Sequence, residues 1–203
     1  MPQTPDPHQS LARAEQLRTA GRLQQAEALC RQVLDAGSPG ASPPPAVAAA
    51  AQQTLALIAH QVGKAELAAE LMAEAVAIAP GVAGYRRNLG EMLRRLGRLD
   101  EAVAHGREAT RLAPEDAVAW YNLGIALDDS GALAEVRDAF ARAVALDPAH
   151  NLAWNNYGST LNRLGDEDAA LAAYLRAAEI DPGHAEAQNN AAAICIDRGE
   201  LDE

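Results

Sequence analysis

Between Ala117 and Pro182 this chain writes one unit twice. AVAWYNLGIALDDSGALAEVRDAFARAVALDP is followed, after two residues, by NLAWNNYGSTLNRLGDEDAALAAYLRAAEIDP. Trp120 and Trp154, Asn122 and Asn156, Gly124 and Gly158, and Pro148 and Pro182 all stand 34 residues apart. The same ruler runs on in both directions, with Gly at 63, 97, 131, 165 and 199 and Pro at 80, 114, 148 and 182. A unit this short cannot bury its own apolar face, so it must stack on copies of itself. The 203 residues therefore set the length of an array rather than a number of globular domains.

Within each unit a glycine divides two stretches rich in Ala, Leu, Glu and Arg, and a proline follows the second. Glycine supplies the positive φ that ends a helix, and proline cannot continue one. No alternating β-branched run suggests a strand. The spacing predicts first helices over 8–20, 46–61, 83–96, 117–130, 151–164 and 185–198, and second helices over 23–36, 65–79, 99–112, 133–146 and 167–180. Residues 1–7 carry three prolines and read as an extended or disordered tail. The first hairpin, 8–36, is displaced from the ruler by a Pro/Ser/Gly insertion at 37–45, which is expected to loosen the joint. From 46 to 203 the array is in phase and stops partway through a repeat.

Composition narrows the function classes. The net charge is −11 with no basic stripe, which argues against nucleic-acid and anionic-membrane partners. No apolar run approaches the ~20 residues of a membrane span. The first ten residues, MPQTPDPHQS, lack a signal peptide's basic start and apolar run, so the expected location is cytoplasmic. Cys30 and Cys195 are far apart on the ruler and read as small core residues rather than a bridge.

The unit resembles the tetratricopeptide repeat. Its matches are Trp120, Leu123, Gly124, Leu127, Phe140, Ala143 and Pro148 in one copy. In the next they are Trp154, Tyr157, Gly158, Leu161, Ala170, Tyr174, Ala177 and Pro182, and an earlier copy keeps Leu89, Gly90, Leu93, Ala102, Ala109 and Pro114. The resemblance covers about residues 8–203. It implies an all-α, right-handed superhelical solenoid of antiparallel helix pairs, about five and a half repeats long. Gly124 and Gly158 fall mid-helix, where glycine costs about 1 kcal/mol against Ala. That suggests a partner helix crossing too closely for a Cβ, with bulky side chains filling the gaps on either side. Departures from the pattern are Arg86 for Trp, Gly106 where Phe140 and Tyr174 stand, Val136 for Ala, and Cys195 for a large residue. The repeat at 83–116 is accordingly expected to pack most thinly.

In such arrays the first helices line a concave groove, and by resemblance six places of each unit face it. The candidate peptide-binding residues are Arg87, Asn88, Arg94, Tyr121, Asn122, Asn155, Asn156, Asn162, Asn189 and Asn190. Asn88, Asn122, Asn156 and Asn190 form one column, and each amide can pair with both sides of a peptide backbone. The column is similar to the asparagine ladder of O-linked N-acetylglucosamine transferase arrays. It also fits the bare family consensus, and both readings stand at this point. Arg86, Arg87, Arg94, Arg95 and Arg98 form a basic cluster suited to a carboxylate or phosphate, or else serve to offset acidic neighbours such as Glu91 and Glu101. The chaperone-binding carboxylate clamp fits at Arg87 and Asn122 and fails at Glu91, Leu152 and Asn156.

Nothing in the sequence points to catalysis, a metal or another cofactor. The five histidines are scattered, no phosphate-binding glycine loop is present, and Asp166–Asp168 reads as a helix start. The expected function is a non-catalytic protein-interaction module that binds an extended polypeptide, such as the N-terminal recognition part of a larger protein glycosyltransferase. The rival is a structural protein that forms a homodimer through its last helix, with Ala191, Ala192, Ile194 and Cys195 as the uncovered face.

Overall fold

The computed structural model describes residues 6–35, 43–197 and 199, and among these the fold is all-α. The helices are α1 (Pro7–Thr19), α2 (Leu23–Asp35), α3 (Pro45–Gln61), α4 (Ala65–Ile78), α5 (Ala83–Arg95) and α6 (Leu99–Leu112). They continue with α7 (Ala117–Ser130), α8 (Leu133–Leu146), α9 (Asn151–Arg163), α10 (Glu167–Ile180) and α11 (Ala185–Asp197). Every boundary falls within one residue of its expected place. Most of the proline-rich tail and of the insertion lies outside the described residues. Pro7 and Pro45 do not remain outside the helices: each opens one, at a first-turn position whose N–H has no intrahelical partner to lose.

The turn inside each pair is the same closure repeated. Gly21, Gly63, Gly97, Gly131 and Gly165 have φ between 74 and 83°. The following N–H reaches back five residues, as from Arg98 to the Leu93 carbonyl (3.0 Å) and from Asp166 to that of Leu161 (3.0 Å). This is the left-handed cap expected of glycine at a helix end. Gly21 shares it, so the displaced first hairpin is built like the others.

The joint after each proline holds a second recurring bond. The side chains of Arg86, Trp120, Trp154 and Gln188, 34 residues apart, each donate to the carbonyl of the proline six residues earlier. The bonds to Pro80, Pro114, Pro148 and Pro182 measure 2.9, 2.9, 3.1 and 2.9 Å. Arg86 is thus a departure in shape but not in chemistry. What this place requires is an N–H on a long side chain.

The chain divides into two compact units, Met1–Leu112 and Ala113–Glu203. In the first, Ala14, Leu17, Ala26, Cys30, Val33, Val47, Ala51, Leu55 and Ile58 form one buried cluster across α1, α2 and α3. The insertion therefore leaves the packing on either side of it intact, contrary to the expected loosening. Cys30 is fully buried, and desolvation pushes its thiol up to about 11. Cys30 is expected to resist maleimide labelling at pH 8 until denaturant unfolds this unit, because the reactive species is the thiolate. Labelling of native Cys30 as fast as that of a free thiol would contradict this packing.

In the second unit, Leu161, Ala170, Ala173, Tyr174, Ala191 and Ile194 form one cluster, and Ala143, Val144 and Ala153 another. The mid-helix glycines face rings, not a bare helix backbone. A Cβ on Gly124 would lie 2.6 Å from Phe140 Cε1, and one on Gly158 would lie 2.8 Å from Tyr174 Cδ1. The bulky residues fill the glycine notches themselves rather than gaps beside them. In the first unit Gly106 removes the ring, and Gly90 instead faces the Ala102 carbonyl at 3.2 Å from its would-be Cβ. Both glycines are buried, so this pair closes backbone against backbone instead of packing thinly.

Candidate functional site

In the second unit, side chains on α7, α9 and α11 connect these first helices across one face. Asn156 Nδ2 donates to Tyr121 Oη at 3.5 Å, and Asn190 Nδ2 donates to Asn155 Oδ1 at 3.3 Å. Arg163 pairs with Asp128. Asn122, Asn156 and Asn190 are half-buried on this face, while Asn162 and Asn189 are exposed. Of the four residues of the expected column, Asn122, Asn156 and Asn190 are thus partly exposed in the second unit, and Asn88 lies in the first.

Asn155 belongs to the seam between repeats rather than to the open surface, and Tyr121, half-buried, borders that seam. Tyr121 lies against Phe140 and His150, with ring centroids 5.9 and 4.6 Å apart. Asn155 is only 2% exposed, and its Nδ2 donates to Glu186 Oε1 at 3.1 Å while its Oδ1 accepts from Asn190. Both hydrogen-bonding arms of this amide are used within the chain. Its effect on any ligand would pass through Asn190, whose amide it orients. His150 also has a structural function, since its Nδ1 accepts the Ala153 N–H and caps α9.

The seam continues into the floor of the face. Tyr174 is 3% exposed. Burial pushes its phenol above the ordinary value, with the Ser159 hydrogen bond opposing and the Glu186 charge adding. Between α9, α10 and α11 the face deepens into a cavity of about 90 Å³ that includes Asn162 and Asn190. The spacing gave no signal for this cavity, because three helices have to converge to form it.

In the first unit, Arg87, Asn88 and Arg94 are half-buried on α5. The basic cluster is largely answered by its own helix neighbours. Glu91 accepts from Arg94 at 2.9 Å and from Arg95 at 2.6 Å, and Arg98 pairs with Glu101 at 2.7 Å. Burial alone would raise the Glu91 carboxyl, but the two guanidiniums reverse that and hold it below the ordinary value. Arg86 is engaged with the Pro80 carbonyl. Burial, with Arg86 adding to it, holds His105 below its usual range. A larger groove of about 340 Å³ lies between α2, α3 and α4, lined by Leu34, Leu55, Ile58, Leu67 and Leu71 among others. None of the residues expected from the ladder reaches it.

Among the described residues there is no grouping of His, Cys, Asp and Glu that could hold a metal ion. No helix of the described residues is long and apolar enough to cross a membrane.

A family profile for the tetratricopeptide repeat matches residues 11–83, 54–117, 107–149 and 121–185. No curated protein matches the sequence. Among solved structures, YrrB, described as a tetratricopeptide protein with an unusual peptide-binding site, is 23% identical with a TM-score of 0.72. That alignment covers 91% of each chain. MamA is 20% identical with a TM-score of 0.71, covering 85% of this chain and 96% of its own. A MamA double mutant aligns with a TM-score of 0.74 at 17% identity, covering 88% of this chain and 96% of its own. At these identities the likeness speaks to the fold alone. The family profile, spanning most of the chain in overlapping register, goes further: this chain belongs to the tetratricopeptide-repeat family.

Proposed function

We propose that the chain is a non-catalytic interaction module and that its α7–α9–α11 face binds an extended polypeptide. The observation that carries this reading is the row Asn122, Asn156 and Asn190. These amides recur at one place in successive first helices and remain half-buried without being used up by the core. An extended strand advances in regular steps and offers a carbonyl and an N–H at each, which an amide can meet with a donor and an acceptor together. YrrB, of similar fold, is described as having a peptide-binding site, which is consistent with this use of the architecture.

Asn88, with Arg87 and Arg94, gives α5 in the first unit a comparable but more basic surface. Because Glu91 engages Arg94 and Arg95, we assign the main binding surface to the second unit.

The test is fluorescence anisotropy with labelled, unstructured peptides from a randomised set. Each amide would contribute one or two hydrogen bonds of roughly 1 kcal/mol, so Asn122→Ala with Asn156→Ala is expected to weaken binding by about 30- to 1,000-fold. Unchanged affinity in a double variant with native circular dichroism would remove the ladder from the mechanism.

A further inference from the structure

Beside the asparagine row, the joint between α7 and α9 carries a small apolar surface. Val118 and Leu152 hold the same place in their repeats, 34 residues apart, and are 44% and 45% exposed although both are aliphatic. Residues three and four apart on a helix are neighbours. Val118 therefore lies one turn before both Tyr121 and Asn122, and Leu152 one turn before Asn155 and Asn156. The half-buried Tyr121 reaches across to α9, where its ring centroid lies 4.6 Å from that of His150 and its hydroxyl accepts from Asn156.

The next joint shows that these places meet. Counting on by 34 residues, the counterparts of Tyr121, Leu152 and Asn156 are Asn155, Glu186 and Asn190. Asn155 bonds both of the others, at 3.1 Å to Glu186 and 3.3 Å to Asn190. The place of Tyr121 in one first helix therefore touches the places of Leu152 and Asn156 in the following one. In the α9–α11 joint those contacts are polar and answer one another. In the α7–α9 joint the same geometry sets the Tyr121 ring beside Leu152, and Val118 flanks the ring from the α7 side. The methyl groups of Val118 and Leu152 are left against water, which favours their burial under a second apolar group.

We infer that the surface formed by Val118, Tyr121 and Leu152 receives an aliphatic side chain, of the size of Leu, from the polypeptide held along Asn122 and Asn156. The inference rests on the peptide-binding reading above and adds a side-chain preference to its backbone contacts. Cβ atoms one turn apart on a helix are separated by about 5–6 Å. A Leu side chain spans that distance from a peptide unit engaged by either amide. Amides alone would read a backbone without regard to sequence. The apolar surface gives that backbone a register, because the same residue placed at the next joint would cover the polar Asn155–Glu186 pair instead.

The probes are short labelled Gly/Ser peptides with one central Leu, or with Asn, which keeps the shape of Leu and exchanges its methyl groups for an amide. The Leu peptide is expected to bind about three- to tenfold more tightly, the share of a Leu side chain's transfer that a half-open surface recovers. Val118→Thr combined with Leu152→Asn, both nearly isosteric and at exposed positions, should abolish that preference while leaving Asn-peptide binding in place. Equal affinity of the two peptides for the unaltered protein would overturn the side-chain subsite and leave the peptide face standing. A preference that persists in the double variant would overturn it as well. A second probe separates the two ideas in the other direction. N-acetylleucine amide, titrated by NMR, is expected to shift the Val118 and Leu152 methyl resonances more than N-acetylasparagine amide does. If neither peptide binds yet this difference appears, the subsite holds and the peptide face fails. If the difference is absent as well, both fall.

Discussion

Gly124→Ala is expected to destabilise the second unit by roughly 1–2 kcal/mol, although alanine is the better helix former by about 1 kcal/mol. The reason is a single contact. The added Cβ would lie 2.6 Å from Phe140 Cε1, where carbon atoms prefer about 3.5–4 Å. Phe140 is 2% exposed and in ring contact with Tyr121, so it has little room to retreat. Phe140→Ala alone should cost about 3–5 kcal/mol, the range for a buried ring removed from a core. The decisive measurement is the double variant. With the ring gone the notch is open, and Gly124→Ala should become stabilising by up to about 1 kcal/mol. Urea denaturation followed by far-UV circular dichroism reads all four corners of this cycle. Additive effects, with Gly124→Ala unfavourable in both backgrounds, would mean that the glycine answers to something other than the ring.

Ile194→Asp should be more damaging still, and Ile196→Asp nearly silent. The packing face expected on the last helix included Ile194 as a residue left uncovered. The structure instead buries it to 5% with Tyr174, Leu161 and Ala173, against the pair that precedes it. Ile196, two residues on, is 63% exposed. Removing a buried Ile costs about 2–5 kcal/mol, and a carboxylate without a partner adds a desolvation penalty of its own. Hydrogen exchange is expected to show α11 released in Ile194→Asp and native in Ile196→Asp. The pair also reassigns the test of the self-association rival. Loss of a dimer in Ile194→Asp would report unfolding of α11, whereas its loss in Ile196→Asp, read by sedimentation velocity, would report a true contact. A monomer at all concentrations would exclude the homodimer.

Much of this fold could be read directly because its determinants are local. Gly97, Gly131 and Gly165 each need a positive φ, and the prolines at 80, 114, 148 and 182 each end a hydrogen-bond ladder. Those requirements act within five residues, so helix boundaries came out within one residue of expectation. Residue type misled where the requirement was for a functional group rather than a shape. Arg86 and Gln188 look like failures of a Trp place, yet each offers the same N–H to the same carbonyl. Among the expected site residues, Asn122, Asn156 and Asn190 stay accessible, while Asn155, adjacent to one of them in sequence, disappears into the seam.

The sequence alone determined the repeat length, the all-α pairs, the turns and the asparagine column, since each follows from backbone geometry and a 34-residue period. Only the tertiary structure decided that rings occupy the glycine notches, that Ile194 faces inward, and that three helices converge on a small cavity beside Asn190. Those outcomes depend on which side chains meet across neighbouring helices. Periodicity can place a residue on a face of its helix, but close packing between helices decides whether that face is open, shared or filled.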